Sequence, residues 1–335
     1  MRNKVYICQG MAIVILILFL CNLFYGTVSI PASAVMDILL GKEVESSSWT
    51  NIILQSRLPQ AITALFAGAA LAVSGLLLQT LFQNPLAGPS ILGISSGANL
   101  GVAIVMLYAG GIAGINLSSI LAAFAGALVV LLIILYFSSK VRSNVLVLII
   151  GMMVGYLASS GISILNAFAS SESIRSYVLW GLGSFSTVSS RQIPLYSSTI
   201  LAGLIASILL IKPLNLLLLG EHYASNLGIN IKRTRILILI VTGFLTAIVT
   251  AFCGPVSFIG LAVPHVARLV LGTANQQLLV PATLLSGAAV ALFCNLLTIL
   301  PFGNSLLPLN AVTPLLGAPI IIYVILNRRN NPCFN

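Results

Sequence analysis

Long apolar runs separated by short polar stretches make up most of the chain. In the clearest run, residues 61–82, no side chain is charged. At about 1.5 Å per residue, a helix of this length crosses a hydrocarbon layer about 30 Å thick. The runs are too numerous for a single anchor and too long for barrel strands, so the pattern predicts an all-α polytopic membrane protein. The ten expected spans are residues 5–25, 61–82, 94–107, 115–137, 145–168, 192–211, 236–252, 258–268, 278–299 and 309–326.

The basic residues are unevenly divided between the two sides that these spans define. With both termini inside, 11 of the 15 Lys and Arg residues fall inside, and four of the five acidic residues fall outside. Cytoplasmic loops carry an excess of basic residues, so we expect cytoplasmic N- and C-termini. Residues 29–51 are then an outside loop, and residues 174–182 a short helix at the outer surface. Residues 32–34 resemble a signal-peptidase site, but the apolar run before them exceeds an ordinary leader, so we expect a retained first span.

Small side chains share one face of the second expected span. They recur at steps of three and four residues, which places them on the same side of a helix. In lipid, small residues let a neighbouring backbone approach closely, whereas an amide must be paired or hydrated. The face therefore fits either helix packing or the wall of a passage. Its members are Ala64, Gly68, Ala72, Gly75 and Gln79.

The fifth expected span carries a comparable face that mixes small and polar residues. This mixture favours a water-lined surface over lipid. Its members are Gly151, Gly155, Ser159, Ile162 and Asn166.

Composition supports a membrane protein and disfavours other classes. Apolar residues make up 59% of the chain and charged residues only 6%, with a mean hydropathy of +1.12, whereas soluble domains carry about 25% charged residues. The net charge of +10 comes from short clusters between spans. No basic run is interleaved with aromatic residues, which disfavours nucleic-acid binding. The five cysteines form no C-x-x-C pair, so neither a disulfide framework nor a metal site is expected.

Several chemistries have no sequence signature in this chain. No acidic residue lies in an expected span, which disfavours an ion-coupled carrier. The motifs G-x-x-x-x-G-K-[ST] and H-E-x-x-H do not occur, and two isolated histidines disfavour a metalloenzyme. We therefore expect a transport protein that is not an enzyme, has no cofactor and takes its energy from a separate subunit.

The longest polar segment on the expected inside face is residues 212–235, called the coupling segment below. Gly220, Ala224 and Gly228 recur in it at intervals of four residues. This spacing predicts a smooth edge on which an energising partner docks. An ordinary amphipathic surface loop is the alternative.

Seven short motifs lie in order over nearly the whole chain. They are 57–59 (RLP), 68–79 (GAALAVSGLLLQ), 84–87 (NPLA), 92–98 (LGISSGA), 219–228 (LG-x₃-A-x₂-LG), 258–269 (FIGLAVPHVARL) and 317–319 (GAP). The combination resembles the permease subunits of bacterial binding-protein-dependent ABC importers for iron–siderophore complexes, haem and vitamin B12, the FecCD-type permeases. No single motif is as specific as the set.

The resemblance implies a vitamin B12-importer-like (type II ABC importer) permease fold with ten transmembrane helices. Residues 1–335 would form a single transmembrane permease domain in the bacterial inner membrane. The implied partners are a second copy in a homodimer, two cytoplasmic ABC ATPase subunits, a periplasmic or lipid-anchored substrate-binding protein, and membrane lipid.

The resemblance also assigns roles by position. The ATPase-coupling residues would be Gly220, Glu221, Ala224, Leu227 and Gly228. The cytoplasmic gate residues would be Asn84, Pro85, Leu86, Ser143 and Asn144. The path residues of the translocation passage would be Gln79, Gly151, Gly155, Ser159 and Asn166. Arg57 would contact the binding protein. His265 and Arg268 fall near the cytoplasmic ends of their helix, where we expect them to pack loops and anchor the chain.

Five positions depart from the family pattern. Gln60 and Ile299 stand where better-known members present arginines to acidic residues of the binding protein. Acidic family residues are replaced at three further positions: Gly88, Asn295 and Leu306. Docking by the usual ion pairs is therefore in question. The candidate substitutes are Arg175 and Arg191.

The sequence thus predicts a permease subunit that translocates an iron–siderophore, a metal chelate, by alternating access. Haem or cobalamin is the alternative substrate within the same class. A channel or ion-coupled carrier acting alone is the alternative from another class. A purely structural membrane protein is disfavoured by the polar residues Gln79, Ser159 and Asn166 within spans.

Overall fold

The computed structural model describes residues 2–42, 44, 46–108, 115–141, 143–299 and 307–327. Over these ranges the chain forms fifteen α-helices and two π-helical segments, at Ile53–Arg57 and Ile104–Tyr108, and no strand. The helices are α1 (Arg2–Phe24), α2 (Ala32–Leu39), α3 (Ser47–Ile52), α4 (Leu58–Phe82), α5 (Ile94–Ala103), α6 (Ile115–Lys140), α7 (Asn144–Phe168), α8 (Ser171–Gly181), α9 (Ile193–Leu209), α10 (Ile211–Leu217), α11 (Glu221–Asn226), α12 (Ile231–Cys253), α13 (Ile259–Leu271), α14 (Gln276–Ile299) and α15 (Leu309–Asn327).

Six helices in the described ranges are long and apolar enough to cross a membrane, and a seventh crossing is counted if α9 and α10, bent by 49°, form one span. Three shorter apolar helices occupy Ile94–Tyr108, Ile259–Leu271 and Leu309–Val324. Every expected span thus coincides with an apolar helix. The expected number of ten crossings is not confirmed, because the three short helices do not reach the length of a full span.

Residues 29–51, expected to be a loop, are partly helical. They contain α2 and α3, and α3 continues through a π-helical segment into α4, so one apolar helical stretch runs over Ser47–Phe82 instead of starting at residue 61. The reason is a small apolar cluster that the polar composition concealed. Its buried members are Ile30, Ala34, Val35, Ile38 and Ile53, with Trp49 and Ile52 packed against them.

Helix α4 lies at the centre of the bundle. It packs against α9, α12, α13 and α14, and most of the Ser47–Phe82 stretch is buried. A Cβ placed on Gly68 would overlap the backbone of Gly287 in α14, and one placed on Gly75 would overlap the backbone of Gly260 in α13. The small-residue face predicted from the sequence is therefore a packing face, and it meets two helices rather than one.

A chain of side-chain amides ties α1, α4 and α14 together. Gln60 Nε2 donates to Asn295 Oδ1 at 2.9 Å, and Asn295 Nδ2 donates to Asn22 Oδ1 at 2.7 Å. Asn22 Nδ2 in turn donates to the backbone oxygens of Leu18 and Leu292. Two departures from the family pattern, Gln60 and Asn295, are thus hydrogen-bonded to each other.

Replacing Gly75 by alanine should destabilise the protein. The added Cβ would overlap the carbonyl of Gly260, which moves only if α13 moves, and overpacking a core costs about 1–3 kcal/mol. We expect a lower midpoint in thermal unfolding of the purified protein in detergent. Gly10→Ala is the matched control, since a Cβ at Gly10 meets nothing within 4 Å. Equal midpoints for the two variants would contradict this packing.

Introducing one charged residue into the Gln60–Asn295 pair should lower the stability of the protein more than introducing two opposite charges. Asn295 is only 2% exposed, and an unpaired buried charge costs about 3–5 kcal/mol. We expect the Asn295→Asp midpoint to fall sharply and the double variant Gln60→Arg/Asn295→Asp to recover part of the loss. The measurement is a double-mutant cycle on thermal unfolding. Additive effects would show that the two side chains do not interact.

Candidate functional site

The coupling segment is mostly helical rather than a loop. It contains most of α10, all of α11 and the first turn of α12. Leu214 and Leu217 are buried against the bundle, which explains why this polar stretch is ordered. The two buried leucines hold α10 on the bundle, and α11 follows after a sharp turn.

Two glycines with positive φ bound α11. Gly220 precedes the helix at φ +98°, and Gly228 ends it at φ +88°. Ile229 N donates to Ala224 O and Gly228 N to Ser225 O, which is the Schellman arrangement that glycine makes possible at a helix end. A Cβ at either glycine would meet nothing within 4 Å of the chain. Their spacing therefore reflects backbone conformation and not a close contact inside the chain.

The exposed surface of α11 differs from the predicted small-residue edge. Ala224 is fully buried against the chain, so it does not face a partner, whereas Tyr223 and Leu227 are 67% and 60% exposed. Ala224 packs against the chain, whereas the larger side chains of Tyr223 and Leu227 point away from it. The exposed residues of α11 and its C-terminal end are His222, Tyr223, Ser225, Asn226, Leu227 and Gly228.

The structure brings the two groups of gate residues together. Asn84, Pro85 and Leu86 form the turn after α4, in which Leu86 N donates to Asn84 Oδ1 at 2.9 Å. Ser143 precedes α7, and Asn144 is its first residue. Asn144 Nδ2 donates to the carbonyl of Leu81 at 3.1 Å, so the start of α7 is bonded to the end of α4.

A gate residue is also bonded directly to a coupling residue. Asn144 Nδ2 donates to Glu221 Oε1 at 2.6 Å. Arg235 of α12, which is 5% exposed, donates to the same carboxylate oxygen at 3.4 Å and to the carbonyl of Val141 at 3.0 Å. Sequence reasoning missed Arg235. The available signal was Glu221, the only acidic residue after position 172, in a segment rich in basic residues.

Helix α13 is also bonded to the turn after α4 and to α4 itself. His265, 1% exposed, is hydrogen-bonded through Nε2 to the carbonyl of Pro85 at 2.8 Å, and Arg268 Nη1 donates to Gln79 Oε1 at 2.8 Å. The Gln79 amide nitrogen donates to Leu261 O at 3.1 Å. His265 and Arg268, for which packing was expected, therefore contact Pro85 and Gln79, which the sequence assigned to the gate and the path.

The path residues divide into buried and exposed positions. Gln79 is buried, and Gly151 packs so tightly that a Cβ would lie 3.1 Å from the backbone of Leu92. Gly155 lies against Ser96, with Gly93 nearby. Packing inside the chain therefore accounts for Gln79, Gly151 and Gly155.

Two path residues remain accessible to a passage. Ser159 is exposed and Asn166 is half-buried, both in the second half of α7. The exposed hydroxyl of Ser159 donates to Gly155 O at 3.0 Å. The place of the whole set on a passage stays a prediction.

Arg57 lies inside the chain rather than on its surface. It is 5% exposed, and its guanidinium donates to the carbonyls of Leu23, Phe24 and Val28. The carbonyls of Leu23 and Phe24 end α1, where a cation is well placed, and Val28 lies in the turn that follows. A docking role for Arg57 stays a prediction. The substitutes considered above, Arg175 and Arg191, are exposed.

No group of three or more potential metal ligands occurs among the described residues. A cavity of about 270 Å³ with both polar and apolar lining residues lies beside Arg57 and the amide chain. It is bordered by Tyr25, Gln60, Ser184 and Asn295, among others. The hydrogen bonds described above tie helices to one another.

Comparison with known proteins identifies the family. Residues 14–327 match the FecCD transport family. The chain is 35% identical over 321 residues to the vitamin B12 import system permease protein BtuC of Klebsiella pneumoniae subsp. pneumoniae, covering 96% of this chain and 93% of that protein. It is 37% identical over 279 residues to BtuC of Salmonella paratyphi A, covering 82% and 83%.

Two solved structures have a similar fold. One is described as an inward-facing conformation of a protein of the metal-chelate ABC transporter type; it matches with a TM-score of 0.85 and 29% identity, covering 96% of this chain and 99% of that one. The other, PsaBC from Streptococcus pneumoniae in complex with Fab, has a TM-score of 0.53 and 16% identity, which shows the fold alone.

These findings settle the class of the protein. Permeases of this family are transport components that work with separate ATPase and substrate-binding partners. Its several apolar helices agree with a multi-pass inner-membrane protein. The chain belongs to the FecCD transport family and is an ABC importer permease.

Proposed function

We propose that the chain forms, as a homodimer, the passage through which an iron–siderophore complex crosses the inner membrane by alternating access. Residues 1–335 act as a single permease domain, with two cytoplasmic ATPase subunits below and a binding protein above. The observation that carries the proposal is α11, a short helix bounded by two positive-φ glycines that exposes Tyr223 and Leu227. A chain with no nucleotide-binding motif of its own needs such a surface to receive force from an ATPase.

We include ten crossings in the proposal. The three short apolar helices add to the seven crossings counted with the bent pair. A helix of 13 to 16 residues is too short for a layer about 30 Å thick. Each short helix would cross together with adjoining irregular backbone, which is tolerated at membrane depth where protein buries it. The turn at residues 87–92 before α5 is largely buried in this way.

Cobalamin is the second candidate substrate. The BtuC relatives, at 35–37% identity, are named for vitamin B12 import, whereas the solved structure at 29% identity is described as of metal-chelate type. Both substrates are bulky, and specificity in this scheme resides in the binding protein. Purified permease should therefore be combined with its ATPase and binding protein in proteoliposomes and supplied with ferric siderophore, cobalamin or haem.

Uptake of ferric siderophore that requires ATP and both partners supports the proposal. Uptake of cobalamin or haem alone would correct the substrate and keep the class. Flux through the permease without the ATPase would overturn the class in favour of a channel or carrier.

Replacing Gly228 by valine should uncouple ATP hydrolysis from uptake. A β-branched residue at φ +88° is strained, so the end of α11 would shift while the buried helices remain. We expect normal membrane levels, continued ATP hydrolysis and loss of most substrate uptake per ATP. Gly41→Val is the matched control, since Gly41 has φ +73° and open space around its Cβ position but lies outside the coupling segment. Normal uptake in the Gly228 variant would refute the role of α11.

A further inference from the structure

Three described elements meet at the carboxylate of Glu221. Its Oε1 accepts from Asn144 at the start of α7 and from Arg235 in α12, while Glu221 itself begins α11. Through the same two partners, the end of α4 joins at Leu81 O and the residue after α6 joins at Val141 O. We name Glu221, Asn144 and Arg235 the carboxylate junction.

The strengths of these contacts make Glu221 the central member. The 2.6 Å bond from Asn144 is charge-assisted, and such bonds are shorter and stronger than neutral ones. Arg235 is almost fully buried, and a buried guanidinium needs acceptors and an opposite charge. No other acidic residue follows position 172 in the chain. Glu221 therefore serves the buried cation and the α7 amide with one group.

One member of the carboxylate junction is partly exposed to solvent. The side chain of Glu221 is 41% exposed, whereas that of Arg235 is 6% exposed. The carboxylate thus lies between the exposed α11 surface and the buried helices. A displacement of α11 must either carry Asn144 with it or break the bond.

We propose that Glu221 is a positioning residue that transmits movement of α11 to the gate through Asn144. This inference rests on the proposed function and names the contact that performs the coupling. Because α7 is a continuous helix from Asn144 to Phe168, a displacement of its first turn moves the face that carries Ser159. The bond to Leu81 O makes the turn after α4 follow the same displacement.

Isosteric substitutions separate transmission from folding. Asn144→Asp keeps the shape of the side chain but replaces a donor by a carboxylate facing Glu221, so the two groups repel. Glu221→Gln keeps an oxygen that accepts from Asn144 and removes only the charge next to Arg235. The exchange variant Asn144→Asp/Glu221→Gln restores a carboxylate–amide pair with donor and acceptor reversed.

The test uses the permease reconstituted with its ATPase and binding protein, and it measures ATP hydrolysed per substrate imported. Loss of a charge-assisted hydrogen bond changes an equilibrium constant by about tenfold. We expect this ratio to rise about tenfold in Asn144→Asp, to rise less in Glu221→Gln, and to recover at least partly in the exchange variant. Arg233→Gln is the control, because Arg233 lies in the same first turn of α12 but is exposed.

A second measurement needs the permease alone. Hydrogen exchange in detergent should show that amides of α11 and of the second turn of α7 lose protection together in Asn144→Asp, but not in Arg233→Gln. Unchanged ATP-to-substrate ratios in all three junction variants would overturn the inference while leaving the proposed function intact. An equal loss of hydrolysis and uptake at reduced protein levels would reduce Glu221 to a folding role and would also overturn it. Absence of ATP-driven uptake by the unaltered protein would instead overturn the proposed function.

Discussion

Direct contact between helix backbones at glycine is the constraint on which the rest of this molecule depends. Hydrocarbon gives helices no hydrophobic reason to associate, so stability must come from close packing and hydrogen bonds. Helix α4 meets α14 where Gly68 faces Gly287 and meets α13 where Gly75 faces Gly260. With α4 fixed between these two partners, its ends are fixed as well. This packing therefore also sets the position of the turn after Phe82, at one end of α4, and of Arg57, at the other end.

Polar side chains within the bundle act mainly as ties between helices. Gln79 joins α4 to α13 through Arg268 and Leu261, and the Gln60–Asn295–Asn22 chain joins α4, α14 and α1. Buried polar groups that are not hydrogen-bonded are costly, so such groups are informative about packing before they are informative about a passage. Ser159, by contrast, is exposed on the single chain, and its place on a passage stays a prediction.

The coupling segment shows how a polar stretch can be both ordered and accessible. Buried Leu214, Leu217 and Ala224 hold it on the bundle, and positive-φ glycines allow the chain to turn sharply on each side of α11. Tyr223 and Leu227 are consequently presented outward on a short rigid helix. The carboxylate of Glu221 is the point where this exposed helix is bonded to the buried structure.

Much of the fold was determined by the sequence itself, because the period and length of apolar runs are local properties. The positions of α4, α7, α12, α14 and α15, and the small-residue face of α4, follow from them. The motifs also determined the family. The helices within residues 29–51 were not predicted, since both are too short to show a membrane-spanning pattern and they gain stability by packing together after folding.

Only the tertiary structure decided which polar residues are partners. Gln79 and Arg268 are 189 positions apart, and Gln60 and Asn295 are 235 apart, so no local pattern could pair them. The structure also decided that Ala224 faces inward and that Arg57 is buried, although spacing and family position placed both on contact surfaces. The physical reason is the same in each case. Apolar periodicity acts along one helix, whereas burial and hydrogen bonding depend on which helices the packing brings together.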